Sequence, residues 1–123
     1  GSLLPEAPGI RCAKMEMRMP KFVMVAASKA KEGRDAEYTE WYDTIHIKDI
    51  CSITGVKSGR RLTALPEISP NTPPGAYLAT YEIEADDPSS VLAEMMQRSQ
   101  AGEFTMTDSI DMESAQIWFY RQD

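Results

Sequence analysis

His46 is the only histidine among 123 residues, and it stands four residues after Tyr42 and three before Asp49. An imidazole is the one side chain whose ordinary pKa, ~6.5, lets it give and take protons near neutrality, and a nearby carboxylate orients its ring. Residues three and four apart share a side of an α-helix, so a helix through this segment brings Tyr42, His46 and Asp49 together. The chemistry such a set supports is general acid–base catalysis, with Tyr42 as a hydrogen-bonding partner and Asp49 as a third catalytic candidate. The competing reading is a half-buried histidine that donates to a backbone carbonyl and has only a structural role. A single imidazole excludes any mechanism that needs two or three of them in one subunit.

Asp49 lies on an otherwise apolar stripe, and buried carboxylates are rare unless paired. Its candidate partners are His46, one turn away, and Arg60 or Arg61 further along. In a regular strand Arg60 and Arg61 point to opposite faces, so at most one enters a cleft, where a guanidinium binds a carboxylate or enolate oxygen. Trp41, Arg60 and Tyr81 are the substrate-binding candidates. Trp41, Tyr77, Tyr81, Trp118 and Tyr120 read mainly as core or interface, with one or two lining an apolar pocket. Leu92, Met95 and Met96 read as core packing.

The elements that must position these residues follow from periodicity. Phe22 to Ala27 is apolar throughout, as in a strand covered on both faces. From Asp35 to Ile53 the residues Tyr38, Trp41, Tyr42, Ile45 and Asp49 fall at helical spacing, with Thr54-Gly55 as the stop. On an ideal helix His46 sits ~80° around from Tyr38, on the shoulder of the stripe. Val56 to Leu65 reads as a second strand, and the next ten residues, which hold four of the eight prolines, as a long loop. Tyr77 to Ile83 is a third strand by its aromatic and β-branched content. Asp86-Asp87-Pro88 caps a second helix that ends near Ala101-Gly102, and a fourth strand spans about Ser114 to Arg121. Residues 103–113 carry no clear signal.

Strand, helix, strand, strand, helix, strand is the ferredoxin-like βαββαβ order of an α+β domain: a four-stranded antiparallel sheet with two helices on one face. The helices cover only that face, yet strands one, three and four carry apolar side chains on both. Leaving such a patch in water costs about 25 cal/mol per Å². A second copy of the same sheet is the cover this pattern predicts, so the expectation is a homodimer through the sheet faces.

Composition bounds the function classes. One domain spans residues 20–123, and residues 1–19, opening on Gly1-Ser2 and holding two prolines without a clean period, are expected to be a flexible arm or expression remnant. Nineteen acidic against thirteen basic residues give a net charge of −6, which disfavours nucleic acid and anionic membrane as partners. Cys12 and Cys51 make at most one bridge, and with one histidine they form no zinc spacing, so a reducing, cytoplasmic setting is the default. There is no phosphate-cradling glycine loop, dinucleotide fingerprint, GxSxG or HExxH. An enzyme of this kind is expected to work with no cofactor.

The run Tyr38-Thr39-Glu40-Trp41-Tyr42-Asp43-Thr44-Ile45-His46-Ile47-Lys48-Asp49-Ile50, with Thr54-Gly55-Val56 and the basic pair after it, resembles the first helix and second strand of the dimeric α/β-barrel superfamily, most closely its EthD-like branch. The aromatic pair and the histidine match; Thr54 and Lys48 stand where proline is usual. The resemblance implies two ferredoxin-like subunits sharing a barrel, with a small organic molecule bound between each sheet and its helices. It implies a cofactor-independent enzyme on a small aromatic or carbonyl compound (cyclisation, isomerisation, decarboxylation or oxygenation), or a non-catalytic ligand-binding or accessory dimer. Some barrels of the superfamily bind haem through a histidine, for which His46 is the only candidate here.

Overall fold

The computed structural model describes residues 19–123, so the predicted arm of residues 1–19 lies outside them except for Met19. The elements are β1 (Lys21–Ala30), α1 (Asp35–Trp41), a π-helical turn (Tyr42–His46), α2 (Ile47–Cys51), β2 (Val56–Thr63), β3 (Tyr77–Glu84), α3 (Ser89–Gln100) and β4 (Ile110–Arg121). α1, the π turn and α2 run on without a break as one helical rod. All neighbouring strands pair antiparallel in the order β2-β3-β1-β4, the expected βαββαβ architecture.

Local chemistry explains the element ends. Asp35 and Glu37 in the first turn of α1 complement its helix dipole, and Gly55, with φ 96°, takes the left-handed conformation that turns the chain into β2. A side chain at Gly55 would also press on Glu84 O at 3.3 Å. The Asp87 carboxylate accepts from Ser89 N–H at 2.9 Å, doing the capping work read from Asp86-Asp87-Pro88. β4 begins at Ile110, four residues before the expected start at Ser114, so much of the stretch without sequence signal belongs to that strand.

The registers sort the sheet into two faces. Phe22 and Ile83, Met24 and Tyr81, and Met24 and Phe119 are paired on the helix side. With Tyr38, Trp41, Tyr42, Ile50 and Val91 from the helices they form one buried cluster. The outer face pairs Val25 with Thr80 and Trp118, Val23 with Tyr120, and Leu62 with Leu78. Among the described residues no helix covers it: Trp118, Tyr120 and Leu62 are 37%, 60% and 42% exposed. Among the described residues no helix is long and apolar enough to cross a membrane.

Candidate functional site

Trp41 and His46 are five residues apart, which on an α-helix leaves them ~140° apart on the circumference. Here they stack, ring centroids 4.5 Å apart and planes at 22°. The π turn makes this contact: Ile47 N–H reaches back five residues to Tyr42 O, and the wider turn brings positions i and i+5 onto one side. Thr44 Oγ1 occupies the Glu40 carbonyl at 2.6 Å, a side-chain bond that competes with the α-helical ladder where the turn widens. Tyr42 meets the imidazole edge-on at 4.9 Å, so His46 is boxed by two aromatic rings.

The box opens on a cavity of about 230 Å³ between the rod, α3, the 103–109 loop and the helix side of β1 and β4. Trp41, Tyr42, His46 and Ile50 form the rod's wall, and Met95, Met96, Met106 and Met112 contribute much of the rest. Ile117, at the sheet edge the helices do not reach, is 42% exposed at its mouth. The lining contains no Lys, Arg, Asp or Glu. A larger depression of about 440 Å³ at the other end of the sheet is lined by Lys57, Glu84, Asp86 and Asp87 and holds neither histidine nor aromatic ring. The smaller, apolar cavity is therefore the candidate site.

Burial pushes the His46 imidazole down to about 4, the charge of Asp49 opposing in part, so the ring is neutral at pH 7. Its Nδ1 is shut away from solvent with no hydrogen-bond partner among the described residues. Burial pushes the Tyr42 phenol up to about 12 and raises Tyr81 further, so both stay protonated. The two phenols are in side-chain contact and each shifts the other's titration, but the contact falls short of hydrogen-bond geometry at Tyr81 Oη, which has no other partner among the described residues. Tyr81 fits because β2 has glycine opposite: a Cβ at Gly59 would lie 2.6 Å from its ring.

The structure brings some predicted residues together and separates others. Trp41, Tyr42 and His46 share the cavity wall. Asp49 is on the same rod, but its Oδ2 accepts from Thr105 N–H at 3.1 Å, while Trp41 Nε1–H donates to Thr105 O at 2.8 Å. These two side chains grip one residue and hold the 103–109 loop as the cavity's rim. Asp49 pairs with neither arginine. Arg60 is exposed on the outer face opposite Thr80, so it does not reach the cavity. Arg61 faces the helices instead and is held by Asp43 at 2.9 and 3.1 Å over the ring of Tyr77. Tyr81 is buried in the core behind Tyr42 and does not line the cavity.

Sequence reasoning saw only part of the methionines' role: Met95 packs against the core as expected and also lines the cavity, whereas Met96, likewise read as core, is 54% exposed on the cavity wall. The signal was present in the doublet with Met106 and Met112 downstream, since flexible thioethers suit adaptable apolar sites. Among the described residues no three His, Cys, Asp or Glu side chains converge as metal ligands. A haem macrocycle does not fit a cavity of about 230 Å³ with His46 held between two rings, and no step is derived through it. No known protein family matches the chain, and no curated protein matches it in sequence.

Proposed function

We propose that this protein binds a small, mostly apolar organic molecule in the His46 cavity and acts on it as a cofactor-independent enzyme, with His46 serving proton transfer at an aromatic or carbonyl centre. The observation that carries the reading is the neutral imidazole, boxed by Trp41 and Tyr42, on the wall of an apolar cavity. Drug-sized ligands occupy ~300–1,000 Å³, so a site of about 230 Å³ suits a one-ring compound. At about 4 the ring is a weak base at neutral pH, so proton transfer through it requires that the charge it gains be offset by an oxyanion developing on the bound molecule. Tyr42, protonated at neutral pH, is the nearest phenol to hold a developing oxyanion. The EthD-like resemblance of the rod supports the same reading.

The working unit in this proposal is a homodimer, two outer sheet faces packed together, because Trp118, Tyr120 and Leu62 otherwise stand in water. Light scattering at micromolar protein is expected to give twice the 13.7 kDa chain mass; a monomeric mass refutes this part. For the catalytic part, a panel of one-ring ketones, enols and phenols is screened with wild type and His46→Ala. Proton transfer by a positioned side chain contributes ~10²–10⁴-fold, and a loss of that size is expected. Equal turnover by both proteins rejects His46 as the acid–base group. The second reading, a non-catalytic ligand-binding dimer, is favoured by the absence of charged groups in the lining, and it predicts binding without turnover by either protein.

A further inference from the structure

A neutral imidazole has one N–H and one lone pair, and their placement decides what the cavity offers a ligand. Nδ1 is shielded and unpartnered. Orphaned buried N–H groups are rarer and costlier than orphaned acceptors, so the shielded Nδ1 carries the lone pair. The N–H then sits on Nε2, which is not among the shielded atoms and makes no hydrogen bond to any described residue. The stacked Trp41 and the edge-on Tyr42 hold the ring in this orientation. Apart from Ser28, whose hydroxyl is paired with Tyr38, and Ser99 and Gln116, the rest of the lining is thioether, aliphatic and aromatic, with no cation to hold a carboxylate and no carboxylate to hold an amine. Trp41 Nε1–H, the other strong ring donor in the wall, is already spent on Thr105 O.

From this geometry we infer that the cavity selects an uncharged, one-ring molecule bearing a carbonyl oxygen, which accepts a hydrogen bond from His46 Nε2–H, and that it rejects anions of the same size. The inference rests on the cavity being the ligand site, but not on catalysis there. It gives His46 the role of donor that polarises the carbonyl in the ground state. Apolar cavities of ~150 Å³ take benzene, so about 230 Å³ leaves room for a ring with a short carbonyl substituent.

Two measurements test it. The first needs no ligand: as the chain has one histidine, a long-range ¹H–¹⁵N correlation spectrum at pH 7 shows a single imidazole. The Nε2–H pattern is expected, and an Nδ1–H or an averaged pattern overturns the inference. The second compares acetophenone, ethylbenzene and benzoate by calorimetry. One added hydrogen bond makes acetophenone about 3–10-fold tighter than ethylbenzene. Benzoate is expected to be the weakest. His46→Leu abolishes the ketone's advantage while ethylbenzene still binds, and His46→Gln, which keeps an N–H donor, restores part of it. Equal binding of ketone and hydrocarbon, or preference for benzoate, overturns the inference, as does binding by none of the three. Ketone preference without turnover leaves the inference standing and removes the catalytic reading. His46-dependent turnover of an anionic substrate does the reverse.

Discussion

The two ends of the first helical rod use similar side chains in opposite ways. Toward its start, and at Asp43 on the β2-facing side of the π turn, the polar groups that face the sheet are matched: Tyr38 Oη with Ser28 Oγ at 2.5 Å, Tyr77 Oη with Asp35, and Arg61 with both oxygens of Asp43 while stacked on Tyr77. Around the π turn the aromatic packing is as tight, but among the described residues His46 Nδ1 has no partner and Tyr81 Oη has only a contact with Tyr42 that falls short of hydrogen-bond geometry. Buried polar groups are ordinarily satisfied because leaving one unmade costs about 1–3 kcal/mol. The matched end ties the rod to β1, β2 and β3. The unmatched end gives up that stability beside the apolar cavity, which is the pattern expected of a site whose remaining partner is a ligand.

The largest expected difference between the ends is in their response to acid. His46 titrates at about 4 in the folded chain and ~6.5 when unfolded, so between these values the unfolded state holds the extra proton. Stability is then full above pH 6.5, falls as pH drops through the window, and reaches its maximal loss below about 4. The shift corresponds to about 3 kcal/mol. Urea titrations of wild type against His46→Leu should show that component of the slope vanish in the variant; parallel slopes would contradict the buried neutral ring.

Next in size is Tyr38→Phe, which leaves Ser28 Oγ buried without its partner and should cost about 1–3 kcal/mol in the same urea assay. Asp43→Asn at the half-exposed end of the Arg61 pair should cost about 1 kcal/mol or less, shrinking further in high salt. Smallest is Tyr81→Phe: its hydroxyl has only a contact with Tyr42 short of hydrogen-bond geometry to lose, so thermal stability should be nearly unchanged. If Tyr81→Phe costs as much as Tyr38→Phe, the contrast between the two ends is wrong.

Much of the architecture was legible because a continuous apolar run marks the strand at Phe22–Ala27, aromatic and β-branched content the strand at Tyr77–Ile83, and the helical period of 3.6 the stripe from Tyr38 to Asp49. The two-sided apolar character of Trp118 and Tyr120 against Ile117 and Phe119 likewise follows from alternation. The site was less legible. A π turn adds one residue to a turn without a signature in composition, so uniform 100° steps could not place His46 against Trp41. Alternation said that Arg60 and Arg61 part company but not which faces inward; a register shift between Val56 and Ser58 intervenes before them. Asp49 found Thr105, 56 residues on, in a loop whose sequence carries no periodicity.

The central claim is that the unmatched end of the rod is the ligand site and the matched end is framework. Acetophenone added to isotope-labelled protein, followed by chemical-shift mapping, tests it directly. Saturable shifts of the His46 imidazole and the Trp41 indole are predicted, with the resonances of Tyr38, Arg61 and Tyr77 unmoved and Trp118 on the outer face serving as an internal control. Shifts concentrated at Trp118, or none at His46, would contradict the account.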